Sequence, residues 1–367
     1  MLNNIYKIKD SIDVYVESLE DSTTIIQFYR INTREKVTIH SNCEVQKIIS
    51  ILNGELSVRE ILRKHNIEES SLIELLKFLN AKGLVYLIKK SKNLNTHRFC
   101  RQTAFFDDLS PNDDGDVCQQ KLQNSKVVIF GTGSVGGDIA VLLARMGVGH
   151  FILIDYKKVS KNSLIRHLFC NQKDINKFKT QVLREYIGKI DKDIKVEVKN
   201  IKITPNTNLK SIIPNDTSLV VNTADEPYIG HISIKLGRYL WKNNIALYIA
   251  GGFNAHSMSS GEIVIPHKTP CIDCYSNNFK IALKDWNPTY IIHENNKNKN
   301  QPIIGGSGSI AACSLFSASY ACMCIVYYLL KIGFPMQNRS EYLINQGIFT
   351  KVKLTEGKNE KCEYCSK

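Results

Sequence analysis

The stretch KVVIFGTGSVGGDIAVLLARMGVGHFILID, residues 126–155, constrains the fold of this chain more than any other. An apolar run reaches a glycine-rich turn, and a helical pattern, a glycine-containing break, a second apolar run and an acid follow. This order is typical of a nucleotide-binding βαβ unit. By itself it does not distinguish a redox dinucleotide from ATP.

The alternation of apolar strands and helical segments continues to about residue 265. We predict strands at 126–131, 150–155, 194–199, 217–222 and 245–251, and helices near 134–147, 173–189 and 228–243. Such alternation predicts a Rossmann-like α/β domain, with a mostly parallel sheet covered on both faces. Residues 307–333 form a long, almost wholly apolar helical segment, which we expect in a core or at a subunit interface.

The first 92 residues have a different pattern. Short alternating runs predict strands at 14–19, 24–31, 36–41 and 84–90, and three helical segments lie within 43–54, 57–66 and 69–83. Ser57, followed three residues later by Glu60, and Ser70 or Ser71 are predicted helix starts, and Gly54 and Gly83 are predicted stops. We therefore expect two domains, a small α+β winged-helix domain at 1–92 and the α/β domain at 93–367.

Composition limits the function classes. The N-terminus lacks the pattern of a signal peptide, no apolar run reaches membrane-spanning length, and eleven cysteines without a secretory context predict a reducing, cytoplasmic location with no membrane contact. The net charge of +13 is compatible with anionic small ligands as well as nucleic acid. Residues 1–92 hold 14 Lys and Arg against 12 Asp and Glu, without the clustered cations that DNA binding needs, so we expect no nucleic-acid partner.

The glycine-rich turn is a candidate phosphate site. Gly131, Gly133 and Gly136 fit G-x-G-x-x-G, which lets backbone N–H groups and a helix N-terminus approach phosphate. Asp155, 24 residues after Gly131, is placed to hydrogen-bond ribose hydroxyls.

The charges around Asp155 favour ATP over a redox cofactor. Arg166 and Lys179 follow within 24 residues, and Arg98 and Arg101 precede the turn. Cations beside a phosphate cradle suit a triphosphate whose charge must be offset before attack. Asp225, just past a predicted strand end, is a candidate Mg²⁺ ligand.

The order R-F-x-R-Q, G-x-G-x-x-G, D-x(10)-R, K-T, T-A-D and two C-x-x-C pairs resembles the E1-like adenylating superfamily over residues 96–367. That superfamily includes the ThiF and MoeB enzymes, ubiquitin E1s and the MccB type. The resemblance implies that Asp155 holds the ribose, that Arg166 and Lys179 bind and polarise the phosphates, and that Asp225 binds Mg²⁺. It further implies a homodimer in which Arg101 reaches the ATP phosphates of its own or of the partner subunit. Three residues depart from the family pattern: Ser134 stands for its third glycine, Ser163 for an asparagine and His167 for a glutamine. Ser134 and Ser163 are still expected in the nucleotide site.

Two C-x-x-C pairs, Cys271 with Cys274 and Cys362 with Cys365, suit tetrahedral Zn²⁺. Four thiolates leave no position for water, so we expect a structural zinc site, with two separate redox dithiols as the alternative. The segment from Tyr275 to Gly306 contains no cysteine between its ends, which argues against a thioester intermediate there.

A winged-helix domain ahead of an E1-like domain is similar to the MccB type of peptide adenylyltransferase, where a RiPP recognition element binds a ribosomal precursor peptide. The resemblance implies ATP-dependent adenylation of a peptide carboxylate, with its C-terminus the first candidate, in microcin C-like biosynthesis. For residues 1–92, a domain used only for dimerisation or packing remains open. For the whole chain, two further hypotheses remain: activation of a ubiquitin-like sulfur carrier, and a non-catalytic leader-peptide scaffold. The peptide, the final linkage, the choice between C-terminal and side-chain carboxylate, and ATP against CTP are left open by the sequence.

Overall fold

The computed structural model describes residues 2–19, 23–31, 33–88, 98–110, 114–226, 229–252, 257–282, 310–332, 339–351, 357 and 362–365. The chain divides into two compact units, Met1–Gln120 and Lys121–Lys367. The predicted boundary between residues 92 and 93 lies outside the described residues, as does most of the predicted cysteine-free segment.

The first unit combines small antiparallel sheets with helices, as the sequence predicts. One sheet has the order β5-β1-β6 and the other the order β2-β3-β4. The strands are β1 (Ile5–Ile8), β2 (Ile12–Ser18), β3 (Thr24–Arg30), β4 (Lys36–Ser41), β5 (Asn53–Ser57) and β6 (Val85–Ile88). The helices are α1 (Cys43–Ile51), α2 (Val58–His65), α3 (Glu69–Ala81) and α4 (Cys100–Leu109), and α5 (Gly115–Gln123) crosses into the second unit.

Local sequence explains the start of α2 and the core of this unit. The Glu60 N–H donates to Ser57 Oγ, and the Ser57 N–H donates to Glu60 Oε2 at 2.8 Å, which is the predicted capping box. The buried leucines of α3 share one hydrophobic core with Ile26 and Phe28 of β3, which are fully buried.

Helix α4 is fastened to the turn between β1 and β2. The Lys9 ammonium donates to the Asp108 carbonyl oxygen at 3.0 Å, and the Ser11 hydroxyl donates to the Asp108 carboxylate. The neighbouring Asp107 carboxylate accepts the Gly115 N–H at 2.6 Å. Residues 98–110 therefore belong structurally with the small sheets that precede them.

The second unit contains the predicted mostly parallel sheet. Its order is β13-β11-β10-β7-β8-β9, and only β13 runs antiparallel to its neighbour. The strands are β7 (Lys126–Phe130), β8 (His150–Ile154), β9 (Lys195–Lys199), β10 (Leu219–Asn222), β11 (Ala246–Ile249), β12 (Ser257–Ser259), β13 (Glu262–Val264), β14 (Ser340–Leu343) and β15 (Ile348–Lys351). The helices are α6 (Ser134–Arg145), α7 (Lys179–Ile190), α8 (Ile229–Lys242), α9 (Ile272–Ala282) and α10 (Ala311–Leu330). This is the Rossmann-like α/β architecture expected from the sequence.

The predicted long apolar helix is α10, which packs along α6. Cys322 on its inner face donates to the Ile139 carbonyl oxygen of α6 at 3.6 Å. By length and composition α10 could cross a membrane, but 56% of its apolar window is buried inside the molecule. Its packing is therefore that of a core helix.

Helix α6 carries a buried carboxyl group, Asp138, which is 1% exposed. Within the described residues, neither of its oxygens makes a well-formed hydrogen bond. Burial raises the pKa of Asp138 to about 7, and the nearby Leu168 N–H offsets this only in part. The group thus changes charge near neutral pH.

We expect Asp138→Asn to flatten the dependence of stability on pH. A carboxyl with a pKa near 3.8 when unfolded and about 7 when folded stabilises the fold least at high pH, and its contribution falls as pH rises between these values. The difference in unfolding free energy between Asp138→Asn and wild type should therefore grow in favour of the variant from pH 5 to pH 8, measured by urea denaturation. The exposed Asp193→Asn is the control, and parallel curves for Asp138→Asn and wild type would contradict the prediction.

Candidate functional site at the carboxyl edge of the sheet

Three neighbouring strands end level with one another. Phe130, Ile154 and Asn222 pair across β7, β8 and β10, so the segments that follow them leave the sheet at one edge. These segments begin with Gly131, Asp155 and Thr223, and they carry the glycine-rich turn and both predicted acids. Ligands of open α/β sheets bind at this edge.

The glycines of the turn are needed for two different reasons, backbone geometry and open space. Gly131 has φ of +86°, and a Cβ on Gly136 would lie 2.0 Å from the Gly131 carbonyl oxygen, so the protein itself requires both. A Cβ on Gly133 would meet nothing within 4 Å. Gly133 is the N-cap of α6 and Ser134 is its first residue. The missing side chain at Gly133 therefore leaves space beside a helix N-terminus, where phosphate binds favourably.

Asp155 links the turn to the end of β8. One carboxylate oxygen accepts the Thr132 N–H at 2.8 Å and the Thr132 hydroxyl at 3.2 Å, and the other accepts the Lys157 N–H at 2.8 Å. The oxygen that accepts only from Lys157 retains a lone pair for a further donor such as a ribose hydroxyl.

A short antiparallel pairing brings Lys179 back to Asp155 across 24 residues. Lys158 bridges Phe178, the Val159 N–H donates to the Lys177 carbonyl at 2.9 Å, and the Lys179 N–H donates to the Lys157 carbonyl at 3.1 Å. Lys179 is then the first residue of α7. The predicted helix at 173–189 begins later than expected for this reason.

The loop closed by this pairing contains the predicted Ser163 and Arg166. Ser163 is buried in a 3-10 helix, Lys161–Ile165, and its hydroxyl accepts the Ser160 N–H at 3.0 Å. Arg166 follows directly and is partly exposed.

Several charges at this edge of the sheet act on Lys179. Burial lowers the pKa of the Lys179 ammonium, and the charges of Asp155, Lys157 and Asp225 also act on it. Asp225 itself is exposed, next to Thr223, whose hydroxyl lies 2.7 Å from the Gly131 carbonyl oxygen. Asp155, Lys179 and Asp225 thus share one site with the glycine-rich turn.

Sequence reasoning missed a bridge across this site. Lys157 forms an ion pair with Glu226 at 2.5 Å, and the Tyr156 hydroxyl also donates to that carboxylate. These hydrogen bonds lower the pKa of Glu226. Lys157 lies two residues after Asp155, and Glu226 lies directly after Asp225. These positions are a sequence signal by which both residues could have been singled out.

Arg101 is placed differently from the other predicted residues. It is exposed on α4 in the first unit, whereas the turn, Asp155, Arg166, Lys179 and Asp225 lie in the second. Its predicted contact with ATP phosphates stays a prediction.

The four predicted cysteines come together as a candidate metal centre. The Sγ atoms of Cys271, Cys274, Cys362 and Cys365 all lie within 4.8 Å of one another. The Cys271–Cys274 distance is 3.8 Å, and the Cys271–Cys362 and Cys274–Cys365 distances are both 3.6 Å. A tetrahedron with Zn–S bonds of about 2.3 Å has edges of about 3.8 Å. The donor set and its spacing therefore fit zinc.

The C-terminal cysteine pair is anchored on α8. The Tyr364 hydroxyl donates to the Arg238 carbonyl oxygen, and the Arg238 guanidinium pairs with Asp273 beside Cys274. Burial disfavours the Cys362 thiolate, but backbone N–H groups of Cys365 and Tyr364 lower its pKa to about 7. A thiolate is the form that binds metal.

Comparison with known proteins agrees with this geometry. The ThiF family model matches residues 99–364. The chain belongs to the ThiF family. Its fold is that of MccB from E. coli solved with ATP, at a TM-score of 0.70 and 19% identity, with 99% of each chain covered. The structure named PaaA has a TM-score of 0.67 at 18% identity, covering 94% of this chain and 99% of that one.

Curated relatives match over shorter stretches. An adenylyltransferase and sulfurtransferase named MOCS3 from Aedes aegypti is 23% identical over 229 residues, 61% of this chain and 49% of that protein. The ThiS adenylyltransferase of E. coli is 34% identical over 86 residues, 23% of this chain and 34% of that protein. This chain thus spans about half or less of these two relatives' lengths.

The fold requires Gly136 but has space for a side chain at Gly133, so alanine substitutions at these two positions form a matched pair. We expect Gly136→Ala to lower the free energy of unfolding by about 2 kcal/mol or more, because its Cβ clashes with backbone. Gly133→Ala should cost about 1 kcal/mol at most, since Ala is only a poorer N-cap residue there. Gly133→Ala should nevertheless weaken ATP binding. Calorimetry measures the affinity for ATP, and thermal unfolding measures the stability of both variants. Equal destabilisation by both substitutions would contradict this assignment.

We expect the purified protein to contain zinc held by the four cysteines. Cys362→Ser should lose zinc and lower the melting temperature, and a chelator should lower that of the wild type, because the metal ties the C-terminal segment to α9. Metal analysis by mass spectrometry and thermal unfolding measure this. Cys43→Ser, an exposed cysteine of the first unit, is the control. Full zinc content in Cys362→Ser would show that these thiols are not the ligands.

Proposed function

We propose that the protein adenylates a carboxylate of a ribosomally made precursor peptide, at the expense of ATP. The observation that carries this proposal is the convergence of the turn, Asp155, Lys179 and Asp225 at one sheet edge. A redox dinucleotide needs no such cations beside its phosphates.

The second unit supplies the groups for this reaction. N–H groups of the turn and the N-terminus of α6 would cradle the phosphates, and Asp155 would accept from the ribose. Arg166 and Lys179 would offset the charge that develops as a peptide carboxylate oxygen attacks the α-phosphorus. An acyl–oxygen–phosphorus bond forms, the bond from the α-phosphorus to the bridging oxygen breaks, and pyrophosphate leaves.

Asp225 would hold Mg²⁺ at this edge, where its carboxylate is exposed and lies within the electrostatic reach of Lys179. The ion held there would supply positive charge to the phosphates.

The first unit is proposed to bind the precursor peptide, as a RiPP recognition element at residues 1–92. Within the described residues, β2 and β4 each have one strand edge without a partner, which an extended peptide could join through backbone hydrogen bonds. Tyr15 and Val16 on β2 are exposed, at 56% and 41%. MccB of E. coli, whose fold this chain shares, has been solved with the peptide MccA, which supports a peptide as the substrate.

The remaining parts of the proposal follow from family membership. We propose a cytoplasmic homodimer in which Arg101 contacts the ATP phosphates. The activated group is proposed to be the peptide C-terminus, as in microcin C-like biosynthesis.

Activation of a ubiquitin-like sulfur carrier is the second candidate function. The matches to the MOCS3 protein and to the ThiS adenylyltransferase favour it. The full-length likeness to MccB, including the first unit, favours the peptide.

Pyrophosphate release on addition of a peptide encoded beside this gene tests the proposal. Lys179→Ala should lower the rate by about a hundredfold or more, since it removes a cation from the transition state. Lys189→Ala, in the last turn of the same helix, should have no effect because Lys189 is exposed and distant from the edge.

The substrate added separates the candidates. Release only with a carrier protein ending in Gly-Gly would favour sulfur-carrier activation. Tight peptide binding without any pyrophosphate release would support a non-catalytic scaffold instead, and CTP in place of ATP tests the base.

A further inference from the structure

Lys157 and Glu226 join the two loops on either side of the glycine-rich turn. Strand β7, which leads into the turn, lies between β8 and β10 in the sheet, and Lys157 follows β8 whereas Glu226 follows β10. Their ion pair, at 2.5 Å, therefore spans the end of β7. Lys157 pairs with Oε1 of the glutamate, and the Tyr156 hydroxyl donates to Oε2. The Glu226 carboxylate is thus held at both of its oxygens.

The backbone of Lys157 is tied to two residues of the candidate nucleotide site. Its N–H donates to the Asp155 carboxylate at 2.8 Å, and its carbonyl oxygen accepts the Lys179 N–H at 3.1 Å. These contacts use backbone atoms of Lys157, so they do not depend on its side chain. The ammonium that holds Glu226 therefore extends from a residue that is already fixed beside Asp155 and Lys179.

Asp225 lies in the chain between two residues that are held in place. Before it, the Ala224 N–H donates to the Asn222 side-chain oxygen at 3.1 Å, and after it comes Glu226 with its two contacts. The Asp225 carboxylate itself is exposed. Its distance from Asp155 and Lys179 is therefore set by the backbone on both sides, and the Glu226 contacts fix one of those sides.

The exposure of the ion pair limits what it contributes to folding. The Lys157 and Glu226 side chains are 36% and 47% exposed, and ion pairs this accessible to solvent contribute little to stability. Groups that hold a metal ligand in place, by contrast, change the affinity for the metal when they are replaced. The place of this pair, next to a candidate Mg²⁺ ligand, therefore favours a role in binding over a role in stability.

We propose that Lys157 and Glu226 are positioning residues, which together hold the Asp225 carboxylate in place relative to Asp155 and Lys179 for Mg²⁺-dependent nucleotide binding. This inference rests on the proposed function and adds two residues to its site. Both act through their contact with each other, and neither is assigned a contact with the nucleotide or the metal.

Two substitutions remove the ion pair with little change of size, Lys157→Met and Glu226→Gln. We expect each to raise the Mg²⁺ concentration needed for half-maximal binding of a non-hydrolysable ATP analogue by about tenfold. Because the two side chains act through one contact, the double variant should lie within about threefold of the more affected single variant. Without Mg²⁺, Glu226→Gln should bind the analogue at least as tightly as wild type, because it has lost a negative charge at the phosphate edge.

The control is Lys158→Met, because Lys158 is the neighbouring exposed lysine and its ammonium lies over the Phe178 ring, 5.3 Å from the centroid. It should leave the Mg²⁺ dependence as in wild type. Calorimetry gives the affinities, and thermal unfolding shows that each variant is folded.

Unchanged Mg²⁺ dependence in both folded single variants would overturn the inference. Losses that multiply in the double variant would overturn it too, since each side chain would then act on the ligand by itself. Weaker binding of the analogue by Glu226→Gln without Mg²⁺ would indicate a general disruption of the loop and would also contradict the assignment. If the wild-type protein binds no nucleotide at all, the proposed function itself fails, and this inference fails with it.

Discussion

The carboxylate of Asp155 joins the glycine-rich turn after β7 to the segment that follows β8. Its oxygens accept two backbone N–H groups and one hydroxyl, from the turn after β7 and from the segment after β8. Hydrogen bonds to an ionised acceptor are stronger than neutral ones, and these lie in a mostly buried place. The shape of the glycine-rich turn therefore depends on an acid from the neighbouring strand. The residue that the family resemblance assigns to ribose also builds the loop that would hold the phosphates.

The parallel sheet could be predicted because its strands are continuous buried apolar runs, such as VVIF at 127–130. Strands β1 and β5 were not predicted. Four-residue β1 pairs with segments about 50 and 80 residues away, and local sequence does not encode partners at that distance. Gly54, predicted as a helix stop, instead lies inside β5 with φ of +89°.

The sequence predicted the residues of the candidate site that directly follow strands. Asp155 and Asp225 follow strands, and a spacing of 24 residues from Asp155 led to Lys179. The physical reason for that spacing is visible only in three dimensions, as the pairing of residues 157–159 with 176–179. Lys157 and Glu226 could be singled out because each follows a strand-end acid, but their ion pair joins loops some 70 residues apart and is visible only in three dimensions.

Arg101, which is proposed to contact ATP, belongs to the unit that is proposed to bind the peptide. Its helix α4 is held to the β1–β2 turn through Asp108, within the same compact unit as the sheet edges proposed for the peptide. A half-buried lysine and a serine make these contacts, and both contacts would be lost if α4 separated from the small sheets. Any displacement of the sheets proposed to bind the peptide would therefore also move the helix that carries Arg101. The arginine assigned by resemblance to ATP is thus structurally a part of the unit assigned to the peptide.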